Sequence, residues 1–432
     1  MTPRGAALVA LLAVLAYALA LSVSWTIVLA AVLILAALAL GADALALARG
    51  GVSIEREPPP RLALARRAHF GYDVVNRAGS ARVVSLVEAP VPRLALGVAE
   101  RRTLLPAFSR TRLTIDVLPR ERGRTALRSF HARVTTGAGL VERRCRWDAP
   151  AHLRVSPDLS ALDRGDLAAR TKLLDAGLRR LRRRGLGGEF ESLREYGPDD
   201  AFRAIDWKAT ARRGRTMVAQ YEVERSQQIV VAIDAGRLMT PRLGDRRKLD
   251  YAVSAALAIT AAARLAADRV GLYAFGASAL ARVAPGTGAV HAARLTDALA
   301  DLEGRFEEAD YERAVLDLDR MLARRSLVVL FTDLFDPAAS SAVLAATRLL
   351  TRRHLVLLVL MNDAAIEDAL ARDPADAEDA YRAAVAVTLA AERATAIGVL
   401  RQRGVLVVDV PAAELSLALL DAYVEIKTRG RL

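Results

Sequence analysis

Three aspartates carry the clearest potential for chemistry in this sequence of 432 residues. Asp234 closes the apolar run Gln228-Ile229-Val230-Val231-Ala232-Ile233. Asp333 lies in Thr332-Asp333-Leu334-Phe335-Asp336 after a second apolar run, and Asp310 falls between the two in sequence. Carboxylates at strand ends can hold a divalent ion directly or through water, and an ion so held could activate water for hydrolysis. The neighbours of Asp234 argue against a full oxygen shell: Gly236 and Leu238 bring no side-chain oxygen, and Arg237 brings a cation to the same edge. Mg2+ demands near-octahedral oxygen coordination, so no cofactor is expected, and Asp234, Asp333 and Asp310 remain candidates only for a metal held through waters. Other chemistries drop out more simply. One cysteine, Cys145, and five scattered histidines cannot build a zinc cage, and none of His69, His131, His152, His291 or His354 lies in a triad motif. Gly185-Leu186-Gly187-Gly188 is not followed by Gly-Lys-Ser/Thr, so a phosphate loop is missing as well.

What must position the carboxylates is an alternation of strands and helices from 227 to 432. Buried-strand patterns recur at 228–234, 270–275, 327–331, 355–360 and 405–410, and an alanine-rich amphipathic helix spans 247–268. Such alternation predicts an α/β domain with a parallel sheet, whose loops at the strand C-terminal ends form the natural site.

The N-terminal part is of another kind. Between Arg4 and Asp43 lie 38 residues without a charge, roughly 57 Å if built as one helix and about twice the hydrocarbon thickness. The apolar runs 6–21 and 27–40, broken at Ser22-Val23-Ser24-Trp25-Thr26, therefore predict a transmembrane helical hairpin within residues 1–50. A cleaved signal peptide would leave the second run without a role. Arg4 before the hairpin and Arg49, Arg56, Arg61, Arg66 and Arg67 after it put both ends, and the soluble domains, on the cytoplasmic side of the lipid bilayer. From 51 to 158 short alternating runs such as 68–75, 82–87 and 112–118 predict an immunoglobulin-like β-sandwich, with Pro58-Pro59-Pro60 as a stiff spacer between membrane and sandwich. Residues 159–226 form a basic linker in which Arg179, Arg180, Arg182, Arg183 and Arg184 line a solvated helix face or contact acidic lipid or an acidic partner.

The net charge of +13 is not a nucleic-acid signature. Of 62 cationic residues only Lys172, Lys208, Lys248 and Lys427 are lysine, and aromatics that could stack on bases make up only 5% of the chain.

The linker ends in Gly-Gly-Glu-Phe-Glu-Ser-Leu-Arg-Glu-Tyr-Gly-Pro-Asp-Asp-Ala-Phe-Arg-Ala-Ile-Asp-Trp-Lys-Ala-Thr-Ala-Arg-Arg, from Gly187 to Arg213. Its charges crowd around Leu193, Tyr196, Phe202, Ile205 and Trp207. Phe202, Ile205 and Trp207 could anchor the segment as an interdomain clamp, or the mixture could form a partner-binding surface. This series resembles the signature of the domain of unknown function 58 family, as does the order of two apolar segments, β module and α/β region. One departure, Gly197-Pro198-Asp199, leaves open which of Asp199 and Asp200 fills the acidic position. The resemblance implies a C-terminal von Willebrand factor A-like, Rossmann-like domain. In metal-binding domains of that kind the first strand ends in Asp-x-Ser-x-Ser, which Asp234-Ala235-Gly236-Arg237-Leu238 lacks. It further implies a non-enzymatic adaptor or scaffold at the bacterial inner membrane, working with a MoxR-type AAA+ ATPase and other membrane-associated proteins. Glu189, Phe190, Arg194, Tyr196, Asp199, Asp200, Arg203, Asp206, Trp207 and Lys208 are the candidate signature residues. A metal-assisted hydrolase using the strand-end carboxylates is the alternative.

Overall fold

The computed structural model describes residues 3–19, 25–97, 100–158, 189–197, 202, 205–222, 227–334 and 337–430. The chain divides into two units, Met1–Ser156 and Pro157–Leu432. The basic run at 179–184, Asp199, Asp200, Arg203 and the break at 22–24 lie outside the described residues.

Predominantly apolar sequence builds α1 (Pro3–Leu19) and α2 (Trp25–Ala48), which pack against each other. α2 runs two turns beyond the expected end. Asp43 does not stop it, because its buried carboxylate accepts hydrogen bonds from Thr136 Oγ1 and from the amides of Leu140 (3.0 Å) and Val141 (2.8 Å). Arg82 and Arg143 donate to the carbonyls of Ala46 (2.7 Å) and Leu47 (3.4 Å), satisfying orphan acceptors at the helix C-terminus. Arg4, at the start of α1, lines one cavity with Gly139 of the turn that holds Asp43. Both ends of the helix pair thus meet the same β-turn, the arrangement a hairpin requires.

Among the described residues two helices are long and apolar enough to cross a membrane by length and composition, Ile27–Ala48 and Ala377–Gln402. The second is not the first N-terminal run, as expected from sequence; α1 has only 17 residues. Helix Ala377–Gln402 buries Ala396, Ile397 and Leu400 in the core of the α/β unit, which accounts for its apolar composition.

Among its described residues the β module has nine strands: β1 (Val52–Arg56), β2 (Leu62–Ala63), β3 (Ala68–Asn76), β4 (Arg82–Glu88), β5 (Leu94–Leu96), β6 (Arg101–Leu105), β7 (Ser109–Pro119), β8 (Gly123–Thr136) and β9 (Glu142–Ser156). They form sheets β1-β3-β7-β5 and β2-β9-β8-β4-β6 around one core, to which Phe70 and Ile115 come from the first sheet and Leu86 and Phe130 from the second. β1 pairs with β3 ahead of Pro58-Pro59-Pro60, so these prolines connect two strands of the module and are not a spacer to the membrane. The spacer is replaced by direct docking of α2.

In the second unit, β10 (Glu189–Glu195) and β11 (Met217–Glu222) form an antiparallel ribbon enclosing α3 (Trp207–Arg213). Asp206 caps α3 by accepting from the amides of Lys208 and Ala209, each at 3.0 Å, and Gly214 ends it with φ 65°, a left-handed conformation suited to glycine. The main sheet has the order β16-β15-β12-β17-β18-β19. Its strands are β12 (Gln228–Asp234), β15 (Arg269–Phe275), β16 (Ala279–Gly286), β17 (Leu327–Phe331), β18 (Leu355–Asn362) and β19 (Leu406–Pro411), while the two-residue strands β13 (Arg242–Leu243) and β14 (Arg246–Arg247) pair with each other outside it. Five are parallel; β16 is an antiparallel edge strand that the period-2 pattern did not reveal, because it is half-exposed and lacks an apolar run. Helices cover both faces: α4 (Lys248–Leu265), α5 (Ala289–Ala300) and α10 (Leu415–Thr428) on one, and α6 (Tyr311–Met321), α7 (Pro337–Leu350) and α9 (Ala377–Gln402) on the other. α8 (Ala364–Ala371) packs against α9.

Candidate functional site

β12 lies between β15 and β17, so the strand order reverses at its C-terminal end, the place where open α/β sheets form crevices. Asp234 sits there, fully buried. One of its oxygens accepts from the Gly236 amide at 2.7 Å, and the other from Tyr311 Oη at 2.6 Å and Thr332 Oγ1 at 2.9 Å. Burial raises the Asp234 carboxyl above the ordinary carboxylate range, against the lowering effect of these three donors. Tyr311 Oη and Thr332 Oγ1 are also 2.6 Å apart, so the two hydroxyls and one carboxylate oxygen meet pairwise.

Asp333, one residue beyond Thr332, has opposite surroundings. Lys248, the first residue of α4 and itself buried, donates its ammonium to one Asp333 oxygen. Arg393 of α9 donates to the other at 2.5 Å and reaches Asp409, at the end of β19, at 2.8 Å. Burial alone would raise the Asp333 carboxyl, but Lys248 and Arg393 together hold it below its usual value. Four charges from four elements, two of each sign, therefore close on one another. They form the end wall of a cleft of about 420 Å³ between α8 and α9, with Met361, Ile366, Leu370, Leu389 and Ile397 as apolar lining.

The strand-end residues do not fit a divalent metal. Asp333 is neutralised by two side-chain cations. Asp310 is exposed and caps α6 through the Arg313 amide at 2.9 Å, so it does not join Asp234; the neighbouring Tyr311 does. A side chain at Gly236 would place its Cβ 2.7 Å from the Glu307 carbonyl oxygen and 3.1 Å from Asp234 Oδ1, so a serine ligand has no room. Arg237 turns to Glu308 instead of the carboxylates. Among the described residues no group of three or more His, Cys, Asp or Glu could hold a metal ion.

Sequence reasoning found Asp234 and Asp333 but missed Lys248, Tyr311, Thr332, Arg393 and Asp409. Weak signals existed. Lys248 is one of four lysines, and Glu392 and Arg393 are the only charges between Arg382 and Arg401 in an otherwise apolar helix.

The signature segment is distributed differently. Ile205 is buried and bridges Val218, with Ala209, Met217 and Val218 buried beside it. Trp207 is 60% and Phe202 70% exposed, packed edge to face at 5.7 Å, and Tyr196 is 39% exposed. The expectation that Phe202 and Trp207 anchor the segment by burial is thus corrected: Ile205 does so. Arg194 and Lys208 are exposed, and Asp206 is the helix cap. Glu189 and Phe190 lie on β10.

The profile of a family described as protein of unknown function DUF58 matches residues 192–395, from β10 through most of α9. Uncharacterized proteins of Mycobacterium bovis and Mycobacterium tuberculosis are 28% identical over 181 residues, 41% of this chain and 56% of theirs. The chain thus spans little more than half the length of these curated relatives. Among solved structures, the conserved hypothetical protein BatB from Bacteroides thetaiotaomicron overlaps 46% of this chain and 99% of its own, at 11% identity and a TM-score of 0.30. PapD-like domain 7 of human CEP192 overlaps 24% of this chain and 84% of its own, at 13% identity and a TM-score of 0.20.

Proposed function

We propose that this protein is a non-enzymatic, membrane-anchored adaptor whose signature segment docks a protein partner, a MoxR-type AAA+ ATPase being the partner that the family resemblance implies. The C-terminal unit is taken as a von Willebrand factor A-like domain and the β module as an immunoglobulin-like one, with the helix pair as the anchor in the bacterial inner membrane. One observation carries the docking role: Phe202, ahead of α3, and Trp207, its first residue, stand exposed as an aromatic pair while Ile205 and Ala209 are buried. Exposed aromatics beside Arg194, Lys208, Arg212 and Arg213 have the composition of a binding hot spot. The closure of Asp333 by Lys248 and Arg393 favours an adaptor over the metal-assisted hydrolase, because it consumes the charge a metal would need.

Affinity isolation of the full chain from membranes tests this reading. Trp207→Ala and Arg194→Glu should each leave the melting temperature within a few degrees and reduce recovery of the ATPase at least about tenfold, as loss of a hot-spot contact does. Unchanged recovery by both folded variants would remove the signature segment from the interface.

A further inference from the structure

A second cavity, of about 360 Å³, opens in the β module at the foot of α2, lined by Leu47, Gly50, Arg82, Arg143, Arg146 and Trp147 among others. We infer that it binds the phosphate headgroup of an anionic lipid. The inference rests on reading α1 and α2 as a bilayer hairpin.

Depth is the first argument. From Ile27 to Ala46 α2 rises about 30 Å, the thickness of the hydrocarbon layer. Leu38 and Leu45 still face outward, 64% and 54% exposed, whereas Leu47 is buried in the module core. The cavity that begins at Leu47 therefore lies at the level of the headgroups.

Charge is the second. Arg82 is buried and donates to Ser80 Oγ (2.8 Å) and the Ala46 carbonyl, while Arg143 makes only its long bond to the Leu47 carbonyl. Among the described residues neither has a carboxylate partner, whereas Arg146 is paired with Asp148. The helix C-terminus brings about half a negative charge, and two full positive charges face it, so an excess of positive charge remains for a phosphate. Trp147, stacked on Phe130 at 5.5 Å, gives the cavity an amphipathic wall suited to glycerol and the upper acyl chain.

Cys145, the one cysteine in the sequence, also lines the cavity and reports its occupancy. The full chain should be placed in nanodiscs of phosphatidylcholine, with or without about 30% phosphatidylglycerol, and its reaction with N-ethylmaleimide followed. Phosphatidylglycerol should slow labelling roughly tenfold, as about nine-tenths occupancy requires, and Arg143→Gln should restore the fast rate. Equal rates in the two lipids, or protection that survives Arg143→Gln, would overturn the inference. So would protection by inorganic phosphate in phosphatidylcholine alone, which would assign the cavity to a free anion. Failure of the chain to float with phosphatidylcholine vesicles would instead defeat the hairpin, a separable result.

Discussion

At each end of the main sheet a buried lysine meets a buried aspartate, and the surroundings make them different devices. At the N-terminal end of β15, Asp268 accepts from Lys427 Nζ at 2.6 Å, from Tyr423 Oη at 2.6 Å and from the Gln227 amide at 3.0 Å. All three donors are internal, and the side chains of Lys427 and Asp268 are 1% and 0% exposed. Burial raises the Asp268 carboxyl despite its one cation. At the opposite end Asp333 has two cations and is lowered, and Arg393 extends the cluster to Asp409 beside an open cleft. A single buried pair is a closed structural tie. A doubled pair at the strand ends is a charge cluster that excludes a metal and borders a space where something else can bind.

The largest expected effect separates the two ties. Lys427→Met leaves Asp268 buried without a cation and should cost about 3–5 kcal/mol, whereas Lys248→Met leaves Asp333 with Arg393 and should cost about 1–3 kcal/mol. Urea denaturation of both variants measures the order; a reversed order would break the comparison.

The pH response comes next. The folded value of Asp333 is depressed, so its stabilisation is present above the unfolded value of about 3.9 and is lost as pH falls through the lower folded value. Asp333→Asn should therefore destabilise more at pH 7 than near pH 3. Asp234 has a raised folded value, so its contribution is complete below the unfolded value and is lost as pH rises through the folded one. Asp234→Asn should accordingly cost less at pH 7 than at pH 4. Parallel pH profiles for the two variants would show that the strand-end aspartates do not differ.

Smaller still is the metal response. Calorimetry with Mg2+ should give at most millimolar affinity for the full chain, and Gly236→Ser should lower stability without creating a site, because its Cβ meets Glu307. Micromolar affinity lost in Asp234→Ala would restore the hydrolase. Least of all, Trp207→Ala should shift stability by under about 1 kcal/mol, since the indole is already 60% exposed. A loss of several kcal/mol would return Trp207 to the role of a buried clamp.

Periodicity and composition alone specified the helix pair, most strands of the α/β sheet and the positions of Asp234 and Asp333 at strand ends. Each of these is a local property: an uncharged run, or an apolar run of strand length ending in a carboxylate. What a carboxylate does there was decided by partners distant in sequence. Lys248 and Asp333 are 85 residues apart, Arg393 and Asp333 60, and Tyr311 and Asp234 77. No spacing rule links them, because the sheet order brings together the ends of strands far apart in the chain. For the same reason Asp43, which as a charge marks the end of an apolar run, continues α2: its partners Thr136, Leu140 and Val141 come from a turn that only the folded β module presents. Local pattern places a charge along an element; tertiary structure decides whether that charge meets hydroxyls, a cation or an amide, and so whether it can act as a ligand.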